Sequence, residues 1–309
     1  MVHSLAGVFP ILHTPFTEAD DIDHESLQKQ IDWAVRIGAD GVCTGMVSEI
    51  LRLTETERLE LTSAIVRFVS GRAAVVASCG AESTRGAVRY AKSAEDAGCT
   101  ALMAIPPVTC ALPESELWDY FTAIADSVRI PLIVQDASSY VGKAIPVSFY
   151  ARLLEVYSPE KILFKPEASP AGPNLSALRD ATQGRAKCFD GSGGMLLIDA
   201  WRRGLTGTMP GCDLLDGIVQ MWNALKGGDS DRALELSALV SGIVALQLQA
   251  GLDGFLAIEK YLMVRRGLFQ SDRRRRPFSW RLDEETRMLV DDLFDRLMCS
   301  VGQTHHESA

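Results

Sequence analysis

Two hydrophobic periods alternate along the chain. Short, near-continuous apolar runs occur at residues 7–12, 41–44, 74–78, 101–105, 131–135, 162–165, 186–189 and 207–210. Between them apolar residues recur every three or four positions, the mark of an amphipathic helix. Leu27, Ile31, Ala34 and Val35 make one such face; Leu59, Leu61, Ile65 and Phe68 make another. Local punctuation agrees. Thr54 stands before Glu55 and Glu57, an N-cap followed by an acidic first turn. Gly38, Gly71, Gly98 and Gly204 each follow a helical stretch, where a left-handed residue is wanted. Pro113 and Pro146 stand where a helix should begin.

Strand runs that are apolar throughout belong to parallel strands covered on both faces. Eight of them, each followed by a helical stretch, predict a closed (β/α)8 TIM barrel. A doubly wound open sheet is the rival, but no GxGxxG fingerprint follows the first strand. After Gly228 the strands stop, and residues 230–267 and 283–298 read as helices around a polar, Arg-rich loop. The chain is thus expected to divide into a barrel at 1–228 and a C-terminal helical region at 229–309. The second part should pack on the barrel and supply oligomer contacts.

Composition removes several function classes. Lys+Arg 31 against Asp+Glu 40 gives a net charge of −9, which argues against a nucleic-acid or anionic-membrane partner. The run Arg273–Arg276 reads as a solvated loop rather than a phosphate site. The seven cysteines are scattered without a CxxC pair, which fits free thiols in a reducing, cytoplasmic compartment. No leader or membrane-spanning stretch is read. The five histidines form no cluster at ligand spacing, so neither a metal nor a cofactor is expected.

The segment KILFKPEASP, residues 161–170, carries the first sign of chemistry. Lys165 ends the sixth strand, and catalytic groups of such barrels sit at the C-terminal strand ends. Pro166 holds Lys165 extended and fixes the direction of its side chain. Lys161 and Lys187 fall at strand beginnings, Lys29, Lys92, Lys226 and Lys260 in helical stretches, and Lys143 in a loop. Lys165 is therefore read as the one lysine on the catalytic rim. An amine in apolar surroundings loses its proton more easily and can attack a ketone to form a Schiff base. The structural alternative is a lysine that snorkels to water or pairs with Glu167.

The order of local motifs extends this reading. GVFPILHTPF (7–16), DGVCTGMVSE (40–49), LRLTETER (51–58), IPLIVQDASSYVG (130–142), FKPE (164–167), FDGSGG (189–194) and GTMPG (207–211) together resemble the dihydrodipicolinate synthase / N-acetylneuraminate lyase superfamily. That resemblance implies a TIM barrel, a small 2-keto acid as substrate, Lys165 as the Schiff-base lysine and a homo-oligomer, usually a tetramer. The pattern breaks in informative places. Where many members have two hydroxyl residues before Gly-Glu, this chain has Met46-Val47-Ser48-Glu49. The proton-shuttling tyrosine of the synthases aligns with Gln135, and their carboxylate-gripping arginine with Tyr140. Their cross-subunit tyrosine falls near Val108 or Thr109. A glutamine amide does not titrate, so the usual proton relay is absent.

Gln135-Asp136-Ala137 with FKPE and Asp190-Gly191 resembles instead the subgroup of L-2-keto-3-deoxyarabonate dehydratase. This implies dehydration of a 2-keto-3-deoxy sugar acid. A pyruvate-releasing aldolase and a non-catalytic keto-acid-binding protein are the competing readings. Catalysis is assigned to Lys165 and Gln135, and substrate contact to Val47, Ser48, Glu49, Glu167, Asp190, Gly191 and Met209. For proton transfer Ser48, Glu167, His13, Tyr140 and a water are available; Asp136 is more naturally a loop cap.

Overall fold

The computed structural model describes residues 4–138 and 144–302. Its strands are β1 (Gly7–Val8), β2 (Gly41–Cys43), β3 (Ala74–Ser78), β4 (Ala101–Ala104), β5 (Leu132–Gln135), β6 (Ile162–Lys165), β7 (Phe189–Asp190) and β8 (Gly207–Thr208). Every pairing is parallel. β2 through β6 neighbour one another in chain order, and β8 lies between β1 and β7. Parallel bridges Ile11–Cys43 and Phe164–Cys188 join the two sets, so the sheet closes on itself. The strands are as buried as their unbroken apolar runs require, with Val42, Val76, Leu132, Ile133 and Phe164 wholly covered.

Around the barrel lie α1 (His24–Arg36), α2 (Glu55–Val69), α3 (Thr84–Ala97), α4 (Glu114–Ser127), α5 (Val147–Val156), α6 (Ala171–Ala181), α7 (Leu197–Arg202) and α8 (Leu215–Gly227). Thr54 caps α2 in a reciprocal box: it accepts from the Glu57 amide at 3.3 Å, and the Glu57 carboxylate accepts from the Thr54 amide at 2.8 Å. The C-terminal region forms α9 (Ser230–Leu248), α10 (Gly251–Arg265) and α11 (Glu284–Ser300). The continuous helix expected over 230–267 is thus two. Ala250 at φ −123° and Gly251 at φ +55° leave the helical basin, and the chain folds back so that α10 packs on α9. Val240, Leu256 and Phe294 belong to the same buried cluster as Val42 and Phe164, so barrel and extension share one core. Among the described residues no helix is long and apolar enough to cross a membrane.

The Arg273–Arg276 run is solvated only in part: Arg273 and Arg276 are exposed, while Arg274 and Arg275 are engaged by the protein. Arg275 pairs with Glu57 at 2.7 Å and Asp20 at 3.2 Å, and its backbone N–H donates to Glu49 at 2.8 Å. Arg274 donates to the Asp253 and Trp280 carbonyls and stacks on Phe278. Backbone carbonyls thus receive the Arg274 side chain, and acidic groups of the barrel mouth receive that of Arg275. The loop thereby straps the extension onto the barrel.

Candidate active site

Lys165 ends β6 with its side chain 6% exposed, and its neighbour in register on β5 is Gln135. Two residues on, the chain turns Glu167 back over the strand end. The Lys165 Nζ lies 3.2 Å from Glu167 Oε1. The other carboxylate oxygen accepts from Gln135 Nε2 at 2.8 Å and from the Ala137 amide at 3.1 Å. Ala137 holds φ +50°, a left-handed conformation that costs a residue with a Cβ about 1–2 kcal/mol. That conformation belongs to the turn in which its N–H reaches Glu167. The carboxylate is therefore fixed by donors on three sides, and Gln135 is the group that orients it.

The positive end of Lys165 also bears on Asp190 and Cys43. Burial pushes both acids up, while the lysine charge opposes the rise in each. Asp190 accepts from the Thr208 hydroxyl at 3.1 Å and the Ser192 amide at 3.2 Å, so its carboxylate is engaged within the β7–β8 rim.

Lys165 and Gln135 open into a cavity of about 30 Å³ lined also by Val47, Gly191 and Met209. A cleft of about 250 Å³ adjoins it, sharing Gly191 and Phe255 and adding Glu167 and Asp190. Gly191 is the sill between them. A Cβ there would come within 2.5 Å of Glu167 Oε1 and 2.8 Å of Lys165 Cε. Only glycine permits this approach.

Ser48 and Glu49, expected to touch substrate, are turned elsewhere. The Ser48 hydroxyl accepts from the Gly45 amide at 3.0 Å and donates to the Leu12 carbonyl, closing its own turn. Glu49 is 2% exposed and paired with Lys260 and with the Arg275 amide, so both its oxygens face the extension. Asp136 caps the loop after β5, accepting from the Ser138 and Ile145 amides at 2.8 and 2.7 Å. Tyr140 lies outside the described residues. Lys165 is not the sole buried lysine at this end of the barrel. Lys260 of α10 is wholly buried, but its ammonium is committed to Glu49, the Arg273 carbonyl and the Phe16 ring face.

Among the cavity residues that went unread in the sequence are Phe255 and Glu259 of α10. The signal was the charged pair Glu259-Lys260 set inside Phe255-Leu-Ala-Ile and Tyr261-Leu-Met-Val, an apolar stretch that places charge in a core. Glu259 is 3% exposed; its Oε2 lies 3.5 Å from His13 Nδ1. Burial, and then the Asp213 carboxylate, push Glu259 well above the usual carboxylate range. Asp213, held by Gln247 at 2.7 Å, is pushed up to about 6 by burial. Burial and then the Lys260 charge lower His13 to about 3, against the Val47 backbone. Donor atoms of these three residues lie within 4.8 Å of one another. The cations nearest the trio are Lys260, whose charge bears on His13, and Arg266, whose charge bears on Asp213.

The sequence profile of the Dihydrodipicolinate synthetase family matches residues 4–295. The L-2-keto-3-deoxyarabonate dehydratase of Azospirillum brasilense is 30% identical over 280 residues, covering 88% of each chain. The N-acetylneuraminate lyase of Rhizobium meliloti is 28% identical over 251 residues, 80% of this chain and 82% of that one. Dihydrodipicolinate synthase from Rhodopseudomonas palustris superposes with a TM-score of 0.84 at 24% identity, over 96% of this chain and 99% of its own. With the closed parallel barrel and the buried strand-end lysine, these matches show that the chain belongs to the dihydrodipicolinate synthetase family and is a lyase of its lysine Schiff-base class.

Proposed function

We propose that the chain dehydrates a 2-keto-3-deoxy sugar acid, of which 2-keto-3-deoxy-L-arabonate is the first to test. The observation that supports it is the Lys165–Glu167–Gln135 constellation, in which an amine and a carboxylate lie 3.2 Å apart where the small cavity meets the adjoining cleft, with no tyrosine lining either among the described residues. The similarity to the Azospirillum dehydratase over 88% of both chains supports the substrate class.

In this reading the Lys165 amine adds to the C2 ketone, and loss of water gives an iminium. The cationic nitrogen acidifies the C3 protons. Glu167 takes one, and the electrons form an enamine. The enamine then expels the C4 hydroxyl as water, forming a C3–C4 double bond and restoring the iminium. Hydrolysis frees the lysine, and tautomerisation of the product gives a 2,5-dioxo acid. Gln135 holds Glu167 toward the amine, while Gly191, Val47 and Met209 bound the keto end. Asp190, on the cleft side, faces the distal hydroxyls.

A pyruvate-releasing aldolase is the second reading, favoured by the similarity to the Rhizobium lyase over 80% of the chain. It uses the same lysine but breaks C3–C4. Borohydride reduction in the presence of pyruvate, followed by intact mass measurement, tests the Schiff base: an adduct mapped to Lys165 is expected, and none with wild-type protein would refute the assignment. Turnover of 2-keto-3-deoxy-L-arabonate should give a 2,5-dioxo acid; pyruvate and glycolaldehyde would replace dehydration by cleavage. The family relation also supports a homotetramer, measurable by light scattering. The unpaired, buried thiols of Cys43, Cys79, Cys99, Cys188 and Cys212 support a reducing, cytoplasmic setting.

A further inference from the structure

The dehydration just proposed needs an acid at the leaving hydroxyl, and Glu167 is occupied with the amine and the C3 proton. The cavity offers one other titratable group. Glu259 reaches it from α10, on a different element from β5 and β6, which carry Gln135 and Lys165. Its Oε1 sits beside Gly211, where a Cβ would come within 2.6 Å of it. Its Oε2 makes no hydrogen bond of ordinary geometry within the protein and has His13 Nδ1 at 3.5 Å. Fully buried polar atoms left unpaired in this way are costly and point to a role beyond packing.

Resting on the dehydratase reading, we propose that Glu259 is the catalytic acid that protonates the departing C4 hydroxyl, with His13 and Asp213 as the groups that keep its proton in place. In the elimination step the enamine electrons form the C3–C4 bond as the C4–O bond breaks. The Glu259 proton goes to that oxygen and water leaves, with Glu259 left as carboxylate. The proton later removed as the product tautomerises can restore the acid.

The surroundings suit this task. His13, on the segment after β1, is neutral, so it offers Glu259 no cation that would strip its proton. Asp213, on the segment after β8, is a like charge that makes ionisation of Glu259 costly. Cys212 beside it is a thiol pushed up by burial. On its own helix Lys260 is neutralised by Glu49, and Arg266, just beyond, is held by Asp216 at 2.7 Å. Across the cavity Lys165 is paired with Glu167. Burial in the cavity wall and the neighbouring Asp213 carboxylate thus favour the protonated form of Glu259, the form a general acid needs.

The test is Glu259→Gln in the full chain, isosteric with the protonated acid. Pyruvate trapping by borohydride should stay within about threefold of wild type, while kcat for 2-keto-3-deoxy-L-arabonate falls by about 10²–10⁴-fold. The analogue bearing fluorine at C4 should lose fluoride at comparable rates in both proteins, because fluoride departs without a proton. The alkaline limb of the wild-type kcat profile should vanish from the residual activity of the variant. Dehydration by the variant within about threefold of wild type would overturn the proposal, as would equal losses of hydroxyl and fluoride elimination. Activity removed by EDTA and restored by a divalent cation would overturn it too, making the trio a cation site. Failure of the wild type to form an adduct or to release water would overturn the dehydratase reading together with it. His13→Gln, which leaves Glu259 itself intact, should displace that alkaline limb; an unchanged profile counts against the cluster.

Discussion

Glu49 separates a structural role from a substrate role cleanly. Its carboxylate and the Lys260 ammonium are both wholly covered, with side-chain exposures of 0% each. Changing Glu49 to Gln keeps the shape but removes the counter-charge, leaving the buried ammonium a neutral amide oxygen, the Arg273 carbonyl and the Phe16 face, 4.4 Å away. Removing one partner of such a pair costs about 3–5 kcal/mol, because the surviving charge stays desolvated. The same variant weakens the carboxylate's hold on the Arg275 amide and hence on the strap loop. For a chain of this size the unfolding entropy is roughly 0.65 kcal/mol per kelvin, so the melting temperature should fall by about 5–8 °C.

The assay is thermal unfolding by circular dichroism, paired with borohydride trapping of pyruvate at 20 °C. A large fall in Tm with the adduct yield preserved is expected. The double variant Glu49→Gln with Lys260→Met removes the stranded charge and should recover at least half of the lost stability. A Tm within about 1 °C of wild type, accompanied by loss of pyruvate binding, would refute the reasoning and return Glu49 to the substrate.

Gly191→Ala drives a methyl into Glu167 Oε1 and Lys165 Cε, so both reacting groups must shift. The expected result is a 10²-fold or greater fall in the trapping rate with about 1–3 kcal/mol of destabilisation in urea, and an unchanged rate would show that the sill is not tight. His13 is lowered from 6.5 to about 3. A base whose folded pKa is depressed contributes stability above its unfolded pKa and loses it as pH falls toward the folded value. His13 should therefore withdraw about 3 kcal/mol between pH 7 and pH 4. Asp213, raised to about 6, runs the other way, adding stability as pH falls from 6 toward 3.8. Urea midpoints of His13→Gln should accordingly fall less than wild type between pH 7 and pH 4; parallel falls would remove His13 from the balance. Gln135→Leu deletes one of the donors to Glu167, so kcat should drop about tenfold or more while Gln135→Glu, placing a second carboxylate beside the first, does worse.

Lys165 was legible because a parallel barrel makes position a local matter. The end of an apolar run is the rim, and register then sets Gln135 beside it. Glu167 was legible as a neighbour but not as an oriented carboxylate, since its donors depend on the left-handed turn at Ala137, which no period announces. Ser48 and Glu49 misled for a related reason. Polar side chains after a strand look available to a ligand, and only the folded chain reveals that a carbonyl and a distant lysine have already taken them. Glu259 shows the limit most sharply. Its helix reaches the barrel mouth because the chain breaks at Ala250–Gly251, and the following loop is tied down where Arg275 is received by Glu57, Asp20 and Glu49. The extension that a periodicity reading treats as packing thus closes the cavity. The carboxylate that closes it is the one titratable group found opposite the lysine among the described residues. A barrel with Gln135 beside its rim lysine has, in this helix, the proposed second source of a proton.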